Sequence, residues 1–254
     1  MSKDIFSLLR GSKIAKPAQS SVSTTKVKSV PSTSSPALNI VLTPSSVSRF
    51  DARWKVIGSH LITNLPKKLN RSYANPIKIA AFDLDGTLVD TTSGSKFARN
   101  PSDWKWFNAK VPSVLQDLQN DEKYLIVIFT NQGGVVASPK SSKSYINFTS
   151  RVNQVQRKSG VADDLLVLAS PKRPASKNAT NVSSVELHDQ ARKPNVGMWE
   201  ELAKYLKSQG YEIDLKESFF VGDAAGRPGD FSDSDKAFAE KAAIKFQIPE
   251  DIFN

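Results

Sequence analysis

Two acidic residues, one position apart, end an apolar run in the first half of the chain. Asp83 and Asp85 close the largely apolar residues 77–82, and Gly86 follows them, where it permits a tight turn. The run is typical of a strand buried on both faces, which predicts both carboxylates at the carboxyl end of a central strand, where open α/β sheets carry their chemistry. Because strand residues alternate faces, the two side chains begin on the same side. A lone Asp-x-Asp pair is equally typical of a solvated turn.

Three further polar side chains stand at predicted element ends. Thr130 follows the apolar run 124–129, Asp223 follows the run 218–221, and Lys193 precedes a predicted helix. Alternating strand and helix patterns indicate a doubly wound, mainly parallel sheet, so these chain positions are expected at one edge. Taken singly, Thr130 and Lys193 would also suit ordinary loops.

The order of these residues resembles the four motifs of the haloacid dehalogenase (HAD) superfamily of aspartate-nucleophile phosphatases. DLDGTL at 83–88 matches its DxDGT[LV] signature, and Thr130, Lys193 and Asp223 match motifs II, III and IV. Longer stretches are similar to the 3′-phosphatase domain of polynucleotide kinase/phosphatases. These stretches are FTNQGG at 129–134, RKPNVGMW at 192–199 and FFVGDAAGRPGDFSDSDKAFA at 219–239.

The resemblance runs from about Trp54 onward and implies an HAD-like Rossmannoid α/β fold with a minimal cap. A GxxxxGK[ST] nucleotide-binding loop is absent from the sequence, so the chain is expected to resemble the stand-alone, yeast-type DNA 3′-phosphatases. The segment between Asp85 and Thr130 leaves little room for a cap domain. An open site suits a macromolecular end better than a small metabolite.

The resemblance also implies the chemistry. Asp83 would be the nucleophile that forms an aspartyl-phosphate, and Asp85 would protonate the leaving oxygen and then deprotonate the hydrolytic water. Thr130 and Lys193 would hold phosphate oxygens. Mg²⁺ would bind the carboxylates of Asp83 and Asp223 and the main-chain carbonyl of Asp85.

Substrate contacts are less determined. Asn131 is a weaker candidate for the phosphate cradle. Arg227 is a candidate for gripping the DNA backbone, although a salt bridge with Asp230 or Asp233 suits it almost equally well. The sequence leaves open whether Asp230, Asp233 or Asp235 supports the metal indirectly, through contact with its ligands.

Composition excludes some classes of site. The 254-residue chain has no cysteine, which excludes disulfides, thiolate zinc sites and cysteine nucleophiles. The formal net charge is +10, and residues 1–50 hold seven basic residues against one acidic residue. Such a balance suits a polyanionic partner such as DNA, or alternatively a solvated basic tail.

Two segments are predicted along the chain. Residues 1–50 are rich in Ser, Thr and Pro and are expected to be disordered, whereas residues 51–254 are expected to form the phosphatase domain. The apolar residues 5–9 suit a partner-binding peptide, a mitochondrial-type targeting segment or a frayed end. No membrane-spanning run is visible, so we expect a soluble, intracellular protein. We further expect a monomer that acts in the nucleus, or else in the mitochondrion, and whose tail contacts repair proteins.

Three local expectations complete the picture. A hairpin over residues 54–62 precedes the core, residues 91–103 form a flap, and residues 170–189 form a loop or insertion. Trp104 and Trp106 either stack an unpaired base or pack the flap against the core. The functional alternatives are a small-molecule HAD phosphatase and an inactive scaffold that binds DNA ends.

Overall fold

The structure is a computed structural model and describes residues 49–161, 163–175 and 182–254. They belong to one compact unit, Ser46–Asn254. The predicted disordered tail and its apolar segment 5–9 lie outside the described residues, apart from positions 49 and 50. Phe50 is fully buried in the core, so the packed structure includes this residue. Among the described residues, no helix combines the length and apolarity needed to cross a lipid bilayer.

A seven-stranded sheet forms the centre of this unit, and two further strands form a second, separate sheet. The strands are β1 (Trp54–Ile57), β2 (Leu61–Asn64), β3 (Ile79–Phe82), β4 (Val89–Asp90), β5 (Lys105–Trp106), β6 (Leu125–Gln132), β7 (Leu166–Pro171), β8 (Phe219–Val221) and β9 (Lys245–Gln247). The order in the large sheet is β1-β2-β7-β6-β3-β8-β9. The last five strands in this order, β7, β6, β3, β8 and β9, run parallel. The predicted doubly wound α/β sheet is confirmed.

Helices cover both faces of the sheet. They are α1 (Val111–Asn120), α2 (Lys143–Ser159), α3 (Val185–Ala191), α4 (Gly197–Ser208), α5 (Ser234–Lys241) and α6 (Pro249–Ile252). Apolar residues of α1 and α2 pack in one core cluster and those of α4 and α5 in the other. Strand β3 contributes to both clusters because its successive side chains alternate faces: Ala80 and Phe82 lie in one, Ile79 and Ala81 in the other.

Local sequence signals set the bounds of α2. The Ser142 hydroxyl accepts a hydrogen bond from the Tyr145 amide at 3.2 Å, which satisfies a free donor of the first turn. Gly160 ends the helix with φ = 70°, a left-handed conformation that glycine adopts without steric penalty. The apolar face between these ends carries Phe148 and Val152 into the core.

The hairpin β1–β2 differs from the expectation that it merely precedes the core. Strand β2 pairs antiparallel with β7, with Ile62 opposite Ala169, so the hairpin extends the central sheet. All four β2 residues are buried. The Arg53 guanidinium reinforces this edge by donating to Asn64 Oδ1 at 2.8 Å and to the Leu165 carbonyl at 2.9 Å.

The expectation of a loop over residues 170–189 was wrong at both ends. Strand β7 extends to Pro171, and α3 begins at Val185. Ser184 caps α3 by accepting from the Leu187 amide at 3.3 Å, and Glu186 lies in its first turn. Both are ordinary helix-start signals, but the polar composition of the segment masked them.

The two tryptophans after the flap pack rather than project. Trp104 is 7% exposed and belongs to the core, and its ring lies edge-on to Trp106 at 5.1 Å. The indole N–H of Trp104 donates to Gln154 Oε1 at 3.4 Å on α2. Of the two expectations, the packing of the flap against the core agrees with the structure.

Candidate active site

Asp83 lies at the end of β3, in the middle of the sheet. Its amide donates to the Val221 carbonyl at 2.8 Å, which continues the pairing of β3 with β8 beyond the strand. Its carboxylate accepts from Lys193 Nζ at 2.8 Å, and the same ammonium contacts Asp235 at 2.7 Å. All three side chains are at most about one-tenth exposed. The structure therefore brings motif I and motif III together, and adds an acid from α5.

A third acid completes the group. Ligand oxygens of Asp83, Asp223 and Asp235 lie within 4.8 Å of one another. Burial raises the pKa of Asp83 to about 7; the Lys193 ammonium opposes this increase, and Asp235 adds to it. Burial and the Asp235 charge raise the pKa of Asp223 to about 6. Burial tends to lower the pKa of Lys193, but Asp235 and Asp83 more than offset that effect and raise it.

The donor set fits Mg²⁺. Carboxylate oxygens are the hard ligands that this ion prefers, and burial raises the pKa of Asp83 and Asp223, so a bound cation would favour their ionised forms. Gly86 makes the close approach possible. It has φ = 79°, and a Cβ atom there would lie 2.6 Å from Asp223 Oδ2. The predicted ligands Asp83 and Asp223 are thus adjacent, and the Asp85 backbone lies between Asp83 and this glycine.

Strand β6 ends beside this group. Thr130 is buried, and its hydroxyl accepts from Gln132 Nε2 at 2.9 Å. The Asn131 side chain bonds the Lys193 main chain twice: its Nδ2 donates to the Lys193 carbonyl, and its Oδ1 accepts from the Lys193 amide, both at 3.0 Å. Asn131 therefore holds the segment that carries Lys193, rather than facing open solvent as a free phosphate ligand.

Asp85 is held by two residues that the sequence interpretation missed. Gln132 Nε2 donates to Asp85 Oδ2 at 2.7 Å, while Arg151 Nη1 and Nη2 reach its two oxygens at 2.5 and 3.1 Å. Arg151 comes from α2 and is 5% exposed. A signal for it existed, because Arg151 occupies the apolar stripe of α2 between Phe148 and Val152, where a charge requires a partner.

The acids after β8 take three different places. Asp230 pairs with Arg227 at 3.0 Å, Asp233 is exposed, and Asp235 lies in the acidic group. Arg227 also contacts Glu250 at 3.2 Å and donates to the Asp223 carbonyl at 3.2 Å. Its guanidinium thus stands beside the site but is engaged by two carboxylates, which agrees with the salt-bridge alternative.

Two exposed aromatic rings lie on the loops around this edge. Phe97, in the flap after β4, is 72% exposed, and Phe231, in the loop after β8, is 69% exposed. Lys96 Nζ lies 5.7 Å from the first ring centroid and 5.3 Å from the second, so the two loops meet at this lysine. Asp103 ties the flap together by accepting from the amides of Ser93 and Arg99 at 2.8 and 2.9 Å.

The sequence of this chain is similar to those of known proteins. The family model "polynucleotide kinase 3 phosphatase" matches residues 78–253. A polynucleotide 3′-phosphatase of Saccharomyces cerevisiae is 34% identical over 209 residues, covering 70% of this chain and 88% of the relative. A bifunctional polynucleotide phosphatase/kinase of Schizosaccharomyces pombe is 33% identical over 205 residues, covering 81% of this chain and only 43% of the relative.

A solved structure agrees at the level of the fold. A HAD-like protein of Mesorhizobium loti superposes with a TM-score of 0.50 at 21% identity, over 74% of this chain and 78% of that one. The match of the family model extends over most of the chain and includes Asp83, Thr130, Lys193 and Asp223. The chain belongs to the polynucleotide kinase 3 phosphatase family and has the HAD-like fold.

Proposed function

We propose that this protein is a Mg²⁺-dependent polynucleotide 3′-phosphatase that removes 3′-phosphate from DNA ends in strand-break repair. One observation carries the proposal: Lys193 Nζ lies 2.8 Å from Asp83, within a group of three acids whose oxygens lie within 4.8 Å. A nucleophile, a cation and metal ligands are the requirements of phosphoryl transfer. Family membership supports the substrate class, because the budding-yeast relative is named a polynucleotide 3′-phosphatase.

In the first step, Asp83 attacks the phosphorus in line with the bond to O3′. The P–O3′ bond breaks, its electron pair leaves with O3′, and Asp85 gives that oxygen a proton. Lys193 and Thr130 hold equatorial phosphate oxygens. Asp83 and Asp223 would hold Mg²⁺, which screens the charge between carboxylate and phosphate.

In the second step, Asp85 accepts a proton from a water molecule. The water oxygen attacks phosphorus, the bond to Asp83 breaks, and inorganic phosphate leaves with Asp83 regenerated. Asp235 acts on Lys193 and not on the phosphate, since one of its oxygens contacts Nζ and the other accepts from the Ala224 amide at 3.1 Å. Asn131 holds the Lys193 main chain against β6 by two hydrogen bonds.

A polynucleotide end suits the surroundings of the site better than a small metabolite does. Phe97 and Phe231 expose rings on two adjoining loops, and bases stack on such rings. Lys96 between them adds a positive charge for the DNA backbone. Between β3 and β6 the described chain holds only the small sheet β4–β5, the flap and α1, so this segment does not contain a large cap domain.

The rest of the proposal concerns the entire protein. We assign the packed unit that begins at Phe50 to catalysis and the chain before it to contacts with DNA or with repair proteins. A DNA-repair substrate implies action in the nucleus, and the mitochondrial alternative depends on the apolar residues 5–9. The catalytic unit is proposed to act as a monomer.

Release of inorganic phosphate from a 3′-phosphorylated oligonucleotide tests the proposal. We expect release with Mg²⁺, none with EDTA, and little from the 5′-phosphorylated oligonucleotide or small sugar phosphates. Asp83→Asn should lower the rate by about 10³-fold or more, as loss of a nucleophile does. Asp117→Asn, an exposed acid on α1, serves as the matched control.

Three outcomes would contradict the proposal or part of it. Faster hydrolysis of sugar phosphates than of the oligonucleotide would indicate a small-molecule phosphatase. Tight DNA binding without phosphate release would indicate a scaffold. A rate for Asp83→Asn equal to that of the Asp117→Asn control would reject Asp83 as the nucleophile.

A further inference from the structure

The Asp85 carboxylate accepts hydrogen bonds from two side chains, Arg151 and Gln132. Arg151 binds both of its oxygens, at 2.5 and 3.1 Å, and Gln132 donates to Oδ2 at 2.7 Å. Gln132 also donates to Thr130 Oγ1 at 2.9 Å, so a single amide connects two predicted catalytic residues. These contacts restrict the carboxylate to one orientation, because bidentate guanidinium pairs are geometrically specific.

The position of Arg151 is costly unless it serves Asp85. Its side chain is 6% exposed on the apolar face of α2, whereas the Asp85 side chain is 40% exposed. Among the described residues, Asp85 is the one acid within ion-pair distance of Arg151. Burying a guanidinium carries a desolvation cost that an apolar residue of similar size would avoid. The arginine is therefore explained by the group that it orients rather than by core packing.

We infer that Arg151, together with Gln132, is a positioning residue that holds the Asp85 carboxylate in place for proton transfer to and from the reacting oxygens. The inference rests on the proposed phosphatase function and adds a residue from α2, which carries none of the four motifs. Arg151 contacts Asp85 and acts through it.

If Arg151 orients Asp85, its loss should slow the cleavage of substrates with poor leaving groups more than that of substrates with good ones. The deoxyribose O3′ leaves as a poor alkoxide unless it receives a proton from Asp85, so its departure depends on the orientation of that carboxyl group. A p-nitrophenolate ion leaves readily without a proton. Loosening Asp85 should therefore slow cleavage of the oligonucleotide and leave formation of the aspartyl-phosphate from p-nitrophenyl phosphate nearly intact.

Single-turnover kinetics of the full chain with Mg²⁺ measure this difference. For Arg151→Met we expect the oligonucleotide rate to fall by about 10²-fold, the typical contribution of a positioned acid. The single-turnover rate of p-nitrophenolate release should fall by less than about 3-fold, since that step needs no proton. Arg151→Lys should fall in between, because lysine keeps the charge but loses the bidentate geometry.

The control is Arg157→Met, an arginine on the same helix that is about half exposed and pairs with Asp51 at the surface. It should leave both rates unchanged. Mg²⁺-induced stabilisation against heat should persist in Arg151→Met, which shows that the metal site is intact. If that variant does not fold, the comparison of Arg151→Lys with wild type decides the question by the same two substrates.

Equal losses on both substrates would reduce Arg151 to a structural residue, and no loss on either would overturn the inference outright. Failure of the proposed function looks different. In that case wild type itself releases no phosphate from the oligonucleotide, and the inference falls with it. An active wild type whose Arg151 variants lose no selectivity rejects only the inference.

Discussion

The buried acids after β3 and β8, Asp83 and Asp223, carry a stability cost in the metal-free protein. The pKa of Asp83 is raised to about 7 and that of Asp223 to about 6, from 3.8, chiefly by burial. A carboxyl group whose pKa is higher in the folded than in the unfolded chain binds more protons when folded. It therefore stabilises the fold fully below about pH 4, and this contribution is lost as the pH rises through about 6 to 7.

Removing one of these charges should stabilise the metal-free protein. For Asp223→Asn we expect a higher Tm than wild type in EDTA at pH 8, by roughly 3 °C or more, because the amide carries no charge. The difference should shrink at pH 5, where the wild-type carboxyl is protonated. Thermal melts at both pH values measure it.

The same variant should lose the rise in Tm that Mg²⁺ gives wild type, since binding to the native state stabilises it. Asp117→Asn on α1 is the control. A lower Tm for Asp223→Asn in EDTA at pH 8 would contradict a raised pKa at this position.

Contacts between secondary-structure elements position the side chains of the site. Strand β6 holds the segment after α3, because the Asn131 amide bonds both the carbonyl and the amide of Lys193 at 3.0 Å. Lys193 is thereby fixed against Asp83 although the two residues are 110 positions apart. The strand thus contributes more than the predicted hydroxyl of Thr130.

Asn131→Ala should release this segment. We expect the kcat for phosphate release to fall by about 10-fold and the stability by about 1–2 kcal/mol, for two lost hydrogen bonds. Asn131→Asp should retain part of both, because its carboxylate still accepts from the Lys193 amide. Steady-state kinetics and urea unfolding measure the two effects. An unchanged kcat in Asn131→Ala would show that Lys193 is held without this contact.

The flap and the loop after β8 carry the exposed rings to which we assign contact with a long substrate. For Phe97→Ala and Phe231→Ala we expect the KM for a 3′-phosphorylated oligonucleotide to rise by about 10-fold, within the range of base–aromatic stacking. Hydrolysis of p-nitrophenyl phosphate should be unchanged. Leu215→Ala, which alters an apolar side chain 43% exposed in the loop before β8, is the control. An equal effect on both substrates would indicate a change in the site and not in stacking.

Charge acts at the scale of the entire protein. The chain has a formal net charge of +10 and pI ≈ 9.6, and a polyanion is attracted to such a protein over longer distances than a phosphomonoester is.

For the oligonucleotide, log(kcat/KM) should therefore fall linearly with log of the NaCl concentration, through release of counterions from DNA. For p-nitrophenyl phosphate the slope should be near zero. A salt series on wild type at constant Mg²⁺ measures both slopes. Parallel slopes would mean that salt acts on the enzyme and not on its encounter with DNA.

Local rules account for what was predicted correctly. Apolar runs that end in Asp83, Thr130 and Asp223 indicate strands, and the carboxyl ends of parallel strands meet at one edge, so the order of these residues already implied a common site. The same rules predicted α2 and its end at Gly160. They did not predict α3 or the attachment of β2 to β7, because polar composition masked the first and strand partners are not written in either strand.

The side chains that complete the site required tertiary packing. Arg151 meets Asp85 across 66 positions, and Asp235 meets Lys193 from a different helix. Sequence spacing specifies which face of α2 or α5 a residue occupies, but not which strand end lies opposite that face. The strand ends could thus be predicted from the chain, whereas the side chains that contact them depend on how the helices pack on the sheet.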